Sequence, residues 1–273
     1  MLEAASDWVA GHQILEAAVV VLNEAPPDDW MAAVARETNL SDTGFVIRER
    51  SPDADFRLRW FTHGAVEVDL CGHATLAAAH CLFEDGMADP VRFATRSGVL
   101  TVSNRADGSL AMDLPAWPPE EIDIPSGLEE ALGAPVRWSG HSENNYLLAV
   151  LADEGAIREL SPDIAGVARI PADVVIVTAA TDPARTYDFV SRVFAPNVGI
   201  DEDPVTGSAH TVLAPYWCDR LGRTSLAGLQ ASHRPGHVGV ELTGDRVIVS
   251  GSAVTVLDGV LTSAAHPGWG RVE

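Results

Sequence analysis

The sequence predicts an α+β protein built from two copies of one unit, each a sheet wrapped around a buried helix. Three observations carry this expectation. From Ala74 to Phe83 only Thr75 and His80 are not plainly apolar, and the apolar residues lie on every side of a 3.6-residue period, so this helix has no face to give to water. The chain on both sides of it is full of short alternating runs with strand character. The stretch also has an echo. Gly72-His73-Ala74 with Ala79 returns about half a chain later as Gly207-Ser208-Ala209 with Ala214, and Asp55-Phe56, Arg59 and Phe61 return as Asp188-Phe189, Arg192 and Phe194. Asp69 falls opposite Asp203. Self-similarity of this kind marks a duplicated unit. A pseudo-twofold pair of domains is expected, with two buried-helix N-termini on opposite sides of one cleft.

Taken in order, residues 16–22 read as a strand and Asn23 to Asp29 as a turn containing prolines. Asp28 or Asp29 is placed to cap a helix from Trp30 to about Arg36. Glu37-Thr38-Asn39-Leu40-Ser41 then feeds a strand at Phe45–Glu49, and a second strand, Phe56–Phe61, leads into the central helix. Three strands follow, near Val91–Ala94, Val99–Ser103 and Leu110–Leu114, with Asp107-Gly108 as a hairpin turn between the last two. Four prolines between Leu114 and Pro125 suit neither helix nor sheet, and place the domain junction there: residues 1–116 and 117–273, with a last strand able to pack back on the first domain. The second half repeats the plan. It has a helix near Leu128–Leu132, strands near Tyr146–Leu151, Val174–Thr178 and Tyr187–Phe194, and a second buried helix from Gly207, which Pro215 is expected to kink or end. Strand-like runs near Leu226–Ala231, Val238–Leu242, Val247–Ser250 and Val254–Leu257 complete it.

Composition excludes several function classes. A net charge of −21, with every basic residue an arginine, argues against nucleic acid and anionic membranes, which need clustered positive charge. No window approaches the length of apolar chain that a membrane span needs. Residues 1–22 have no basic n-region, so a cytoplasmic protein without a signal peptide is expected. The three cysteines, Cys71, Cys81 and Cys218, do not make a disulfide framework. No Gly-rich phosphate loop or dinucleotide fingerprint is present, so no nucleotide cofactor is expected.

Several residues are candidates for chemistry. Glu37 sits at a helix end in a polar loop. Paired through Asp42 and Asp173, it falls opposite Ala168, so the second half has no counterpart. A lone acid facing a twofold cleft is suited to general acid/base work if desolvation raises its pKa. The alternative is a solvated helix-end carboxylate. His73 and Ser208 occupy equivalent first-turn positions, where helix capping and anion binding coincide. Gly72 and Gly207 open the two helices, each offering unpaired N–H groups to a carboxylate. Cys71 precedes the first helix, a place that lowers a thiol pKa. Its counterpart is Thr206, so a two-thiol racemase is excluded. Asp201-Glu202-Asp203-Pro204 reads as an acidic loop without regular ligand spacing, and no metal site is expected. A Ser208 hydrolase lacks the G-x-S-x-G elbow and a neighbouring base.

Three blocks of this chain resemble, in order and spacing, the motif blocks of the PhzF-like (phenazine biosynthesis-like) family: Glu37-Thr38-Asn39-Leu40-Ser41-Asp42-Thr43, Asp69-Leu70-Cys71-Gly72-His73-Ala74-Thr75, and Asp201-Glu202-Asp203-Pro204-Val205-Thr206-Gly207-Ser208-Ala209. The similarity runs from about Ala18 to Leu261. It implies the diaminopimelate-epimerase-like fold, two similar domains each with a mostly antiparallel β-barrel around a central helix and an active site in the cleft between them. It also implies cofactor-independent isomerisation of a small carboxylate, and commonly a homodimer. In that reading Glu37 is the proton-transfer carboxylate, and His73, Asp203 and Ser208 are its partners around the substrate. The Gly72 and Gly207 helix starts lie near the substrate carboxylate, and Cys71 and Thr206 are taken as substrate-binding beside them. The chain departs from the family where Gly-Asn-Pro commonly precedes the first strand: it has Leu15-Glu16-Ala17 instead, a bulkier and charged turn. A racemase, epimerase or dehydratase using one Cys71 thiol with a carboxylate, and a non-catalytic carboxylate binder, are the alternatives.

Overall fold

The computed structural model describes residues 2–5, 17–49 and 51–261; the turn at Leu15-Glu16 lies outside the described residues. The chain is a mixed α/β fold dominated by β-sheet, with few helices. Backbone contacts divide it into two compact units, Met1–Met112 with Ser252–Glu273, and Asp113–Gly251.

In chain order the first unit runs β1 (Leu2–Ala5), β2 (Ala17–Leu22), α1 (Asp28–Thr38), β3 (Asp42–Arg48), β4 (Phe56–Thr62), β5 (Glu67–Val68), α2 (Gly72–Glu84), β6 (Val91–Thr95) and β7 (Gly98–Asn104). The division between units falls within β8 (Leu110–Pro115). The second unit continues with β9 (Glu120–Glu121), α3 (Leu128–Leu132), β10 (Trp138–His141), β11 (Tyr146–Val150), α4 (Glu154–Arg158), α5 (Ile164–Val167), β12 (Val174–Ala180), β13 (Phe189–Ala195), β14 (Ile200–Asp203), α6 (His210–Leu221), β15 (Ser225–Gln230), β16 (Gly236–Thr243) and β17 (Arg246–Gly251). A last strand, β18 (Thr255–Gly259), returns to the first unit and pairs antiparallel with β1.

Within the first unit β2 runs parallel to β3, with Ala17 opposite Asp42, and β3 runs antiparallel to β4. Strand β4 also takes β5 antiparallel and β6 parallel, and β7 folds back on β6. Helix α2 packs against β2 and β3. Ala74, Thr75, Ala77, Ala78, Ala79, Cys81 and Leu82 are buried, as expected for a helix apolar on every side. A second, smaller core joins α1 to the sheet: Met31, Val34 and Ala35 lie against Val20, Phe45 and Phe61, with the Phe45 ring edge-on to those of Trp30 and Phe61. Helix α1 starts at Asp28, earlier than its sequence implies. Its N-cap is Pro27, which bonds no side chain to the helix, so Asp28 and Asp29 act in the first turn on the helix dipole rather than as caps. Asn39 ends it in the left-handed region that asparagine tolerates.

The second unit passes through the same series of pairings. Strand β11 is parallel to β12, and β12 antiparallel to β13; β13 takes β14 antiparallel and β15 parallel; β16 and β17 then fold back in turn. The echo extends to side chains. Arg59 of β4 pairs with Glu67 of β5 at 2.7 Å and lies over the Phe61 ring at 5.4 Å. Arg192 of β13 pairs with Glu202 of β14 at 2.7 Å and lies over the Phe194 ring at 5.1 Å. Asp55 accepts from the backbone and guanidinium of Arg92, as Asp188 accepts from Ala227 N–H and the Arg223 guanidinium.

Two expectations for the second unit are corrected. The acidic stretch Asp201 to Asp203 is not a loop but part of β14, which pairs with β13 and carries Glu202 to the Arg192 bridge. Helix α6 begins at His210, not Gly207: residues 207–209 form a tighter turn in which the N–H groups of His210, Thr211 and Val212 bond three residues back. Pro215 does not end this helix, which continues to Leu221. The Thr211 carbonyl that proline leaves without its helical donor accepts the Trp117 N–H at 2.9 Å, so the break costs no hydrogen bond. Among the described residues no helix is long and apolar enough to cross a membrane.

Candidate functional site

The sequence places candidate residues in both units, and each group has its own geometry. In the first unit, β3 ends the loop that leaves α1 and so brings Ser41 and Asp42 beside the start of α2. His73 Nε2 lies 3.4 Å from Asp42 Oδ2 and 3.3 Å from Ser41 Oγ. Its Nδ1 lies 3.6 Å from Cys71 Sγ. The His73 and Asp42 side chains are 16% and 13% exposed, so the pair is shielded yet reachable from solvent. Cys71 itself is buried. Helix α2 has no side-chain cap: Cys71 is its N-cap in extended conformation, and its carbonyl accepts from Thr75 through both N–H and hydroxyl, the latter at 2.6 Å. The first-turn N–H groups, starting at Gly72, are therefore not consumed by a capping side chain and form an anion-attracting end.

Glu37 is exposed in the last turn of α1 and makes no side-chain hydrogen bond or ion pair with the His73 group. Its neighbour Thr38 is tied down instead, donating to the Ala35 carbonyl and sharing a 3.0 Å bond with the hydroxyl of buried Thr43. The backbone that carries Glu37 is thus anchored to β3 while the carboxylate is left to solvent.

In the second unit, Asp203, Thr206 and Gln230 form one hydrogen-bonded knot. Thr206 donates its hydroxyl to Asp203 Oδ2 at 2.7 Å. Gln230, fully buried at the end of β15, accepts the Thr206 N–H at 2.8 Å and donates to the Asp203 carbonyl at 2.7 Å. Its amide also reaches the Thr206 hydroxyl at 3.1 Å. Every amide atom of Gln230 is spent on holding the turn between β14 and Gly207 in one shape. Ser208 Oγ accepts from the Tyr146 hydroxyl at 3.1 Å. Burial pushes the Tyr146 phenol above its ordinary range, keeping it a neutral donor. His210, two residues beyond Ser208, turns away: its Nδ1 bonds the Thr206 carbonyl at 2.8 Å and its ring packs on Phe189. It is not the base that a Ser208 nucleophile requires.

The sequence therefore marked His73, Cys71, Asp203, Thr206 and Ser208 but not the groups that hold them. Ser41 and Asp42 meet His73 across thirty-odd residues, a contact set only by the register of β3 on its neighbours. Tyr146 and Gln230 looked like ordinary members of strand runs.

Known proteins resemble this chain along most of its length. The profile of the phenazine biosynthesis-like protein family matches residues 15–259. An uncharacterised isomerase of Pseudomonas aeruginosa is 48% identical over 247 residues, covering 90% of this chain and 92% of that protein. The crystal structure of a phenazine biosynthesis protein of the PhzF family from Enterococcus faecalis superimposes with a TM-score of 0.83 at 37% identity, covering 94% of this chain and 98% of that one. A hydroxyproline epimerase from Agrobacterium vitis, with bound trans-4-hydroxy-L-proline, shares the fold at a TM-score of 0.56 and 12% identity, over 94% of this chain and 92% of that one. With its ordered motif blocks and matching fold along nearly its whole length, the chain belongs to the phenazine biosynthesis-like (PhzF) family.

Proposed function

We propose that this protein is an isomerase that moves a carbon-bound proton within a small carboxylate substrate, without a cofactor. Relatives named as isomerases at nearly half identity support the reaction class. The observation that carries the reading is the uncapped start of α2 with His73 held between Asp42, Ser41 and Cys71. A helix end with free N–H groups receives a carboxylate and stabilises the negative charge that develops when a neighbouring carbon loses its proton. In the proposed roles, Glu37 removes that proton and returns it elsewhere on the substrate, while His73 and Asp203 orient the substrate and share the proton. Ser208, oriented by Tyr146, donates to the substrate. The Gly72 and Gly207 turns and Thr206 contribute to substrate binding. The finer fold reading, two barrels each around a helix, belongs to the same proposal.

Incubating the protein in D₂O with a panel of small carboxylates, including a dihydro-hydroxyanthranilate, and following proton NMR tests the class directly. Loss of a carbon-bound proton signal, or migration of a double bond, on one of these compounds is the expected result. Chemical-shift changes without exchange on any of them would replace the isomerase with a carboxylate-binding protein.

One distance favours a second reading. Cys71 Sγ at 3.6 Å from His73 Nδ1 is within reach of a base, which suits a thiol-assisted racemase, epimerase or dehydratase. That chemistry requires turnover to vanish in Cys71→Ala, where the isomerase reading predicts nearly full activity.

A further inference from the structure

Asp42, Cys71 and His73 offer three donors of different chemistry, a carboxylate oxygen, a sulfur and an imidazole nitrogen, all within 4.8 Å of one another. We propose that these three side chains form a binding site for a thiophilic divalent cation of the Zn²⁺ type.

The spacing carries the proposal. Around a tetrahedral zinc with bonds of roughly 2.0 to 2.3 Å, neighbouring ligand atoms lie about 3.3 to 3.6 Å apart. His73 Nε2 is 3.4 Å from Asp42 Oδ2 and 3.9 Å from Cys71 Sγ. Two of the three edges are thus close to the spacing that a bound cation needs, and the third lies within 4.8 Å. Ser41 Oγ lies 3.3 Å from the same nitrogen, and this hydroxyl or a water serves as the fourth ligand. Charge fits as well. Thiolate and carboxylate together neutralise a divalent ion, and the imidazole binds it as the neutral form. Cys71 stands at the N-cap of a thirteen-residue helix, whose dipole favours the thiolate. Mixed sulfur, nitrogen and oxygen donors suit zinc and its neighbours and not magnesium or calcium, which prefer oxygen alone. Partial exposure of His73 and Asp42 leaves an entry path.

Binding converts the Cys71 thiol to a thiolate and releases its proton to solvent, forming the sulfur–metal bond while the imidazole and carboxylate donate lone pairs. It also occupies the His73 nitrogen that substrate handling needs, so a cation here inhibits turnover. That inhibitory consequence rests on the proposed function; the binding itself does not.

Chelator-treated full-length protein titrated with Co²⁺ tests the site. The expected result is a near-ultraviolet thiolate-to-cobalt band with tetrahedral visible bands, saturating at one equivalent and displaced by Zn²⁺. The thiolate band is lost in Cys71→Ser, cobalt affinity falls at least about tenfold in Asp42→Asn, and both are retained in Cys81→Ala and Cys218→Ala. If Cys71→Ser fails to fold, as read by circular dichroism, Asp42→Asn carries the comparison. Absence of the band in the wild type, its survival in Cys71→Ser, or unchanged affinity in Asp42→Asn overturns the site. These readouts need no turnover, so a protein that binds Co²⁺ but exchanges no substrate proton refutes the isomerase and not the metal site.

Discussion

His210 shows how one residue is set by its surroundings rather than by its type. It is completely buried, its Nδ1 bonded to the Thr206 carbonyl and its Nε2 without a hydrogen-bond partner among the described residues. Protonating that second nitrogen would bury an unpaired charge, and burial lowers its pKa from 6.5 to about 4. The unfolded chain therefore takes up this proton before the folded one. Its contribution to stability is full above about pH 6.5 and is lost as pH falls toward 4, by an amount on the order of 3 kcal/mol. Urea unfolding of wild type and His210→Gln at several pH values from 7 to 4 checks this. The wild type is expected to lose more stability than the variant over that window, since carboxylate contributions common to both cancel. Parallel curves would show that His210 is not responsible.

At the scale of elements, β15 and β13 meet closely because Gly228 has no side chain. A Cβ there would stand 2.5 Å from the Phe189 ring, which is itself stacked on Trp217 with centroids 6.0 Å apart. Gly228→Ala is expected to displace that stack and to cost about 1–3 kcal/mol, read as a lower denaturation midpoint with an altered tryptophan fluorescence. An unchanged midpoint would mean that the ring moves aside freely. What was legible in the sequence follows the same division between local and distant causes. Helix α2 was readable because an all-round apolar run is a property of its own residues. The start of α6 was misread because residues 207–209 form a turn of i→i+3 bonds that their composition does not distinguish from a helix start. Pro215 was read as kinking or ending α6; the helix runs on through it, and Trp117, distant in sequence, supplies the donor to the Thr211 carbonyl. His73 was legible as a first-turn residue, whereas its partners Ser41 and Asp42 follow only from strand register.

For the molecule as a whole, the two units repeat one order of pairing, down to the Arg59–Glu67 and Arg192–Glu202 bridges. Against that repetition Glu37 stands out. It lies in the last turn of an eleven-residue helix in the first unit, while Ala168, its counterpart by sequence, caps the four-residue α5 in the second. An asymmetric acid on a duplicated scaffold is the feature on which the proposed proton transfer depends. The direct measurement is the turnover rate of wild type and Glu37→Gln on whichever carboxylate exchanges in D₂O, with ligand binding followed in parallel by NMR. A fall of about 100-fold or more in rate, with binding within a few-fold of wild type, is the predicted result. Turnover retained in Glu37→Gln would contradict the assignment of Glu37 as the base.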